Sequence, residues 1–145
     1  MATPAEIAVT VFSQKFNCSQ SVFSAFAEQL GMDRATALKL ASPFGGGVAR
    51  RGELCGTVSG ALLALGLARG AENPAGKEEI YRLSQEFMRL FEQKHSSILC
   101  RDLTGCDLST PAGYQAATEK RVFVTICPLL VRDAVEIAQK LLETT

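Results

Sequence analysis

Apolar residues recur at intervals of three and four positions along almost the whole chain, and no stretch alternates strictly between apolar and polar residues. The first spacing places side chains on one face of an α-helix, whereas a half-buried strand requires strict alternation. The pattern therefore predicts an all-α fold. Because a chain of 145 residues with 47% hydrophobic content can bury a single core, we expect one domain, residues 1–145, built as a compact bundle of about six to seven helices.

Capping and helix-breaking residues set the predicted helix boundaries. Asn17 and Asp33 are favourable N-caps, and the glycine cluster at 45–47 predicts a loop. Pro128 is favoured in the first turn of a helix, so the last helix should begin at Cys127. The other predicted helices are a short one around residues 7–12, one at 53–67, a long amphipathic one with Leu83 and Phe87 on its apolar face, and a short one at 110–119 after a loop that holds Cys100 and Cys106.

The charge balance and the apolar runs argue against two classes of partner. Fifteen basic and fifteen acidic residues give a formal net charge of zero, so we expect no attraction to nucleic acid or to an anionic membrane. The first residues lack the basic and apolar segments of a signal peptide, and the longest apolar run, residues 61–68, is much shorter than the roughly 20 residues that span a bilayer. We therefore expect a soluble, cytoplasmic protein.

Five cysteines stand out beside one histidine and no tryptophan: Cys18, Cys55, Cys100, Cys106 and Cys127. In a reducing compartment, cysteines at regular structural positions are more often reactive or metal-binding than static disulfides. All five are therefore candidate catalytic thiols. Cys18 falls on the apolar face of its predicted helix, so an inert, packed thiol is an equally good interpretation of that residue.

Cys55 has the most distinctive surroundings. Arg50 and Arg51 precede it, and guanidinium groups and a helix start both lower the pKa of a thiol. We therefore predict that Cys55 is the most reactive thiol and that the two arginines activate it. Gly56 and Gly60 clear one helix face beside it, so that a ligand, another helix or a second subunit could approach the backbone. A ligand could approach as closely at the preceding glycines, Gly45, Gly46 and Gly47.

Three further positions complete the candidate chemistry. Cys100 and Cys106 form a Cys-x5-Cys segment that could close a disulfide, which needs a Cα separation of roughly 4.4–6.8 Å. Cys127 at a helix start is a second candidate for a low pKa. His95 is the single imidazole, and a solvated surface position is the more common role for such a residue. If a metal is bound, its candidate ligands are Cys55, Cys100, Cys106, Cys127 and His95.

The order of these residues resembles the pattern of the C_GCAxxG_C_C family, which is named after its cysteines. The central block reads Cys55-Gly56-Thr57 where the family label has Gly-Cys-Ala. The resemblance implies a helical fold and a redox role for the cysteines, without naming a substrate. It rests on residues 17–22, 44–47 and 51–60, and on Cys100, Cys106, Cys127 and Pro128.

Three functions remain open at this point. The first is a thiol–disulfide protein, with or without a redox partner protein, in which Cys100 and Cys106 cycle while Cys55 or Cys127 supplies the attacking thiolate. The second is a helical domain that binds a zinc ion or an iron–sulfur cluster through four thiolates. The third is a structural or partner-binding module, and either a monomer or a homo-oligomer fits all three. Both chemical functions require the cysteines to converge, and we expect this beneath the triglycine loop.

Overall fold

The computed structural model describes residues 1–144, and within them the all-α prediction is confirmed. Seven helices have eight or more residues, and two helices, of five and four residues, were not predicted. In order, the helices are α1 (Pro4–Ser13), α2 (Cys18–Ala27), α3 (Arg34–Ala41), α4 (Gly56–Arg69), α5 (Lys77–His95), α6 (Cys100–Thr104), α7 (Pro111–Glu119), α8 (Val122–Thr125) and α9 (Cys127–Thr144).

The predicted caps begin the helices as expected. The Asn17 side chain accepts a hydrogen bond of 2.9 Å from the backbone N–H of Gln20, and the Gln20 side chain accepts one of 3.0 Å from the Asn17 N–H. This capping box satisfies two amide groups that a helix start would otherwise leave unpaired. The Asp33 carboxylate caps α3 by accepting a hydrogen bond of 3.0 Å from the Thr36 N–H, and α9 begins at Cys127 as predicted. Local side-chain chemistry thus sets the position of Cys18 and Cys127 at helix starts.

The segment before Cys55 differs from the prediction. Helix α4 begins at Gly56 rather than at residue 53. The residues before it pair instead with the segment after α5: the Cys55 N–H donates to the Ile98 carbonyl at 2.8 Å, and the Cys100 N–H donates to the Glu53 carbonyl at 2.7 Å. This pairing between distant segments prevents a helix at 53–55 and starts α6 at Cys100, where a loop was predicted.

Helices α2, α4 and α9 form the centre of the core, and α2 lies unusually close to α4. A Cβ atom placed on Gly60 would lie 2.7 Å from the Ser19 carbonyl oxygen, and one placed on Gly56 would lie 3.0 Å from the Cys18 Cβ. The contact is buried, and the Ser59 hydroxyl donates to the Ser19 hydroxyl at 3.3 Å. The glycine face considered for a ligand or a second subunit is therefore occupied by α2 of the same chain.

Helix α5 packs its apolar stripe against α4 and α9. Leu83, Phe87 and Phe91 are buried, as the sequence pattern predicts for a long amphipathic helix. At the end of α5, His95 Nε2 lies 3.0 Å from the buried Asp133 Oδ2 of α9. No helix within residues 1–144 has the length and hydropathy needed to cross a membrane.

Two glycines of α4 provide a matched test of the α2–α4 contact. Gly60→Ala should lower the free energy of unfolding by about 1–3 kcal/mol, because the added methyl group forces the two helix backbones apart. Gly66→Ala should raise it by about 0.5–1 kcal/mol, because no atom lies within 4 Å of the new Cβ and alanine is the better helix former. Urea unfolding of both variants measures the difference, and equal effects of the two substitutions would contradict the close approach of the helices.

Candidate functional site

Four of the five cysteines line one cavity of about 970 Å³: Cys18, Cys55, Cys100 and Cys127. Each stands at a helix start, since three are the first residues of α2, α6 and α9 and Cys55 directly precedes α4. Gly45 and Gly46 also line this thiol cavity, so the cysteines converge beside the triglycine loop as expected. The fifth cysteine, Cys106, is buried outside the cavity lining, in an apolar cluster that includes Cys100 and Cys127.

The triglycine loop reaches the cavity through a run of left-handed backbone. Residues 46–50 all have positive φ angles, of 65°, 74°, 66°, 51° and 65°. Three of them are not glycine, and the left-handed conformation costs such residues roughly 1–2 kcal/mol each. Backbone hydrogen bonds hold the run in place, including Ala49 N–H to the Pro43 carbonyl at 2.9 Å and Glu53 N–H to the Gly47 carbonyl at 2.9 Å. The strained segment lies directly beside the thiols.

At two of these glycines, protein atoms fill the space through which a ligand was expected to approach the backbone. A Cβ on Gly47 would lie 2.7 Å from the Cys100 Cβ, and a Cβ on Gly45 would lie 2.6 Å from the Asn17 Cβ. The Asn17 amide also donates to the Ser42 carbonyl at 3.0 Å, which ties the loop to the start of α2. The small residues at 45 and 47 therefore seat the loop against α2 and α6, while Gly45 and Gly46 still line the cavity.

Cys18 and Cys127 form a hydrogen-bonded thiol pair at the wall of the cavity. The hydrogen-bonding interaction between the two thiols lowers the pKa of Cys127 and is the largest cause that raises the pKa of Cys18 well above the ordinary value. Burial opposes the change at Cys127 but is the smaller influence. The first residue of a helix also favours a thiolate, because it faces the positive end of the helix dipole. Of the two thiols, Cys127 is therefore the one that ionises first.

Cys55 and Cys100 line the same cavity from two hydrogen-bonded backbone segments. Burial is the largest influence on both thiols, and it raises the pKa of Cys55 and raises that of Cys100 to about 12. The Thr57 hydroxyl lies 3.1 Å from the Cys55 sulfur and offsets part of the effect there. Both thiols are therefore protonated at neutral pH.

The proposed activation of Cys55 by Arg50 and Arg51 is not found. The Arg51 side chain is exposed and pairs with Glu53 at 3.3 Å, and the Arg50 guanidinium lies over the Tyr114 ring, 4.3 Å from its centroid. Burial outweighs any help from nearby charge, so the pKa of Cys55 is raised rather than lowered. Cys127, the alternative candidate, is the thiol whose pKa is lowered.

His95 lies apart from the cysteines and is not the solvated residue expected. Its side chain is 12% exposed, packs against Phe91 with ring centroids 4.8 Å apart, and pairs with Asp133. No group of three or more His, Cys, Asp or Glu side chains in residues 1–144 is arranged to hold a metal ion.

Several residues of the site were not predicted from the sequence. Thr57 and Thr104 follow their cysteines by two and four positions, and Thr104 Oγ1 donates to the Cys100 carbonyl at 2.8 Å. A hydroxyl within one turn after a cysteine is a signal that could have identified both. Lys15 and the aromatic residues that line the cavity carry no such signal, because they come from four separate segments: Phe12, Lys15, Phe16, Tyr114 and Phe123.

Residues 16–141, which include every cysteine, match the protein family described as "Putative redox-active protein (C_GCAxxG_C_C)". The chain belongs to this family. No curated protein and no solved structure matches the chain. The family match agrees with the resemblance noted in the sequence, and its description supports a redox role for the clustered cysteines of this C_GCAxxG_C_C protein.

The interaction between Cys18 and Cys127 predicts how the alkylation of Cys127 depends on pH. The pH midpoint of Cys127 alkylation should lie below 9.0, the ordinary pKa of a cysteine thiol, whereas the pH midpoint of Cys100 alkylation should lie near 12. Cys18→Ala removes the donor, so the Cys127 midpoint should rise and its alkylation near neutral pH should slow by about tenfold for each unit of the rise. The measurement is the pH dependence of iodoacetamide labelling, with each site resolved by mass spectrometry.

Cys18→Ser is the matched control for this experiment. It keeps a hydroxyl donor at the same position, so the Cys127 midpoint should stay low. A Cys127 midpoint that is equal in the wild type and in Cys18→Ala would show that the hydrogen bond does not set this pKa.

Proposed function

We propose that this protein is a thiol–disulfide redox protein in which Cys18 and Cys127 cycle between a dithiol and a disulfide. The observation that carries the proposal is that these two thiols line one open cavity and interact closely enough to shift the pKa of one another in opposite directions. Thiol–disulfide exchange requires two thiols within reach of one another, one of them with a lowered pKa. Of the five cysteines, this pair meets both conditions.

Cys127 supplies the attacking thiolate in this scheme. Its pKa is lowered, so a larger fraction is ionised near neutral pH than for an ordinary cysteine. It also lines the cavity, where a substrate disulfide can reach it. Attack on that disulfide forms a mixed disulfide at Cys127 and releases the leaving thiolate.

Cys18 then resolves the mixed disulfide. Its pKa is high because of the hydrogen-bonding interaction with Cys127, because it is buried, and because a charge on Cys127 opposes a second charge. Formation of the mixed disulfide removes the negative charge from Cys127, so this cause is lost and the pKa of Cys18 falls. The Cys18 thiolate can then attack the Cys127 sulfur and close the disulfide. Because the pKa of Cys18 falls only after Cys127 has reacted, the attack by Cys127 comes first.

Cys55 and Cys100 do not compete with Cys127 as the first nucleophile. Burial raises the pKa of both thiols and keeps them protonated near neutral pH, whereas the pKa of Cys127 is lowered at a similar exposed fraction. The proposal also replaces the Cys100–Cys106 pair favoured by sequence spacing, because Cys106 lies outside the cavity lining. The redox description of the family supports thiol chemistry without assigning a pair.

Disulfide mapping tests the proposal. Oxidation of the reduced protein with one equivalent of diamide, followed by peptide mapping without reductant, should yield a Cys18–Cys127 bridge as the main product. Cys106→Ser, as a control outside the cavity, should give the same bridge, whereas Cys18→Ser and Cys127→Ser should not. A dominant bridge between Cys100 and Cys106, or between Cys55 and Cys100, is incompatible with the proposed pair.

A further inference from the structure

The charged residues that line the thiol cavity are all cations. Lys15 and Arg50 line it, and among residues 1–144 no carboxylate does. This contrasts with the chain as a whole, in which acidic and basic residues are equal in number. Stacking of the Arg50 guanidinium on the Tyr114 ring holds this cation at the cavity wall. The entrance to the thiols therefore favours an anionic ligand.

The rest of the cavity is mainly apolar and aromatic. Tyr114 and Phe123 pack with ring centroids 5.4 Å apart, and Phe12 and Phe16 lie on other lining segments of the cavity. All four rings belong to half-buried residues, so part of their surface stays open. Aromatic walls with a few charged groups are typical of sites that bind the apolar body of a small molecule. The ligand should thus combine a ring-sized apolar part with an anionic group.

Access to the sulfur atoms favours a small molecule over a folded protein. Cys55, Cys100 and Cys127 are only 3%, 7% and 5% exposed, and Cys18 is half-buried. The disulfide of a folded partner would have to enter the cavity to reach the Cys127 sulfur. The cavity volume of about 970 Å³ is instead at the upper end of the roughly 300–1,000 Å³ that is usual for small-molecule sites.

We propose that the substrate of the Cys18–Cys127 pair is a low-molecular-weight disulfide that carries an apolar, ring-sized body and an anionic group, which Lys15 and Arg50 attract into the thiol cavity. This inference rests on the proposed redox function and adds the chemical class of its substrate. In this half of the cycle the substrate disulfide is the oxidant of the pair.

The reaction balances as two exchange steps. The Cys127 thiolate attacks one sulfur of the substrate RSSR, forms Cys127–S–S–R and releases RS⁻. The Cys18 thiol loses its proton and attacks the Cys127 sulfur, which closes the Cys18–Cys127 disulfide and releases a second RS⁻. The protein dithiol is oxidised by two electrons and the substrate is reduced to two thiols. The proton from Cys18 and the one that Cys127 lost on ionisation account for the two protons of the product thiols.

The test compares small disulfides of different charge. The probes are 5,5′-dithiobis(2-nitrobenzoate), an aromatic dianion; 4,4′-dithiodipyridine, a neutral aromatic; and cystamine, an aliphatic dication. Each rate constant is divided by that of the same probe with 2-mercaptoethanol, which removes differences in intrinsic reactivity. The dianion should then exceed the neutral probe by about three- to tenfold at low ionic strength, and the ratio should fall as salt is added. Cystamine should be the slowest of the three.

Charge variants show whether the cavity cations cause the preference. Lys15→Gln combined with Arg50→Gln should lower the normalised rate of the dianion to that of the neutral probe measured with the same variant. Lys77→Gln combined with Arg89→Gln removes two cations from α5, outside the cavity lining, and should preserve the preference. Equal normalised rates for the three probes, or a preference that survives loss of Lys15 and Arg50, would overturn the inference.

A fourth probe tests the size limit. A small folded protein whose surface cysteine carries the same 2-nitro-5-thiobenzoate group presents an identical leaving group on a macromolecule. It should react at least about tenfold more slowly than the free dianion, because its disulfide cannot enter the cavity. A similar rate would show that the substrate is not restricted to small molecules.

Cys18→Ser separates this inference from the proposed function. In this variant the mixed disulfide at Cys127 forms but is not resolved, so the charge preference is measured without the Cys18–Cys127 bridge. If Cys18→Ser shows the charge preference but the oxidised wild type forms no Cys18–Cys127 bridge, the proposed redox pair is wrong. If the wild type forms the bridge but Cys18→Ser shows no charge preference, the proposed substrate class is wrong.

Discussion

The thiol site depends on the close approach of α2 to α4, which Gly56 and Gly60 permit. Any side chain at Gly60 would meet the backbone of α2 at Ser19, and one at Gly56 would meet Cys18. The same contact brings the start of α2 beside the start of α4, so Cys18 and Cys55 reach one cavity. Helix α9 packs against both α2 and α4 and adds Cys127 from the other end of the chain. The glycines are thus structural residues whose effect on chemistry is indirect.

The ranking of the thiols follows from the balance between burial and hydrogen bonding. Cys55 and Cys127 are about equally buried by exposed fraction, at 3% and 5%, yet their pKa values move in opposite directions. At Cys127 a donor thiol faces the sulfur and outweighs the cost of burial, whereas at Cys55 the Thr57 hydroxyl offsets only part of that cost. A direct donor to the sulfur is therefore more important than basic residues nearby in the sequence.

Local features of the fold could be predicted from the sequence, and features that join distant segments could not. The caps at Asn17 and Asp33 and the apolar stripe of α5 follow from nearby residues alone. Val48, Ala49 and Arg50 have no intrinsic preference for positive φ, so the left-handed run at 46–50 depends on hydrogen bonds within residues 43–53 and on the packing of the triglycine loop against Asn17 and Cys100. The convergence of the cysteines could be expected from their positions at helix starts, but the pairing of Cys18 with Cys127 depends on how α2 and α9 pack.

The central claim is that Cys18 and Cys127 form a reversible two-electron couple. The most direct test is to equilibrate the protein in glutathione buffers of graded redox potential and to trap and count its free thiols by mass spectrometry. We predict one transition that consumes two thiols, fits a two-electron curve, survives Cys106→Ser and disappears in Cys18→Ser. A transition that persists in Cys18→Ser, or five free thiols at every potential, would contradict the account.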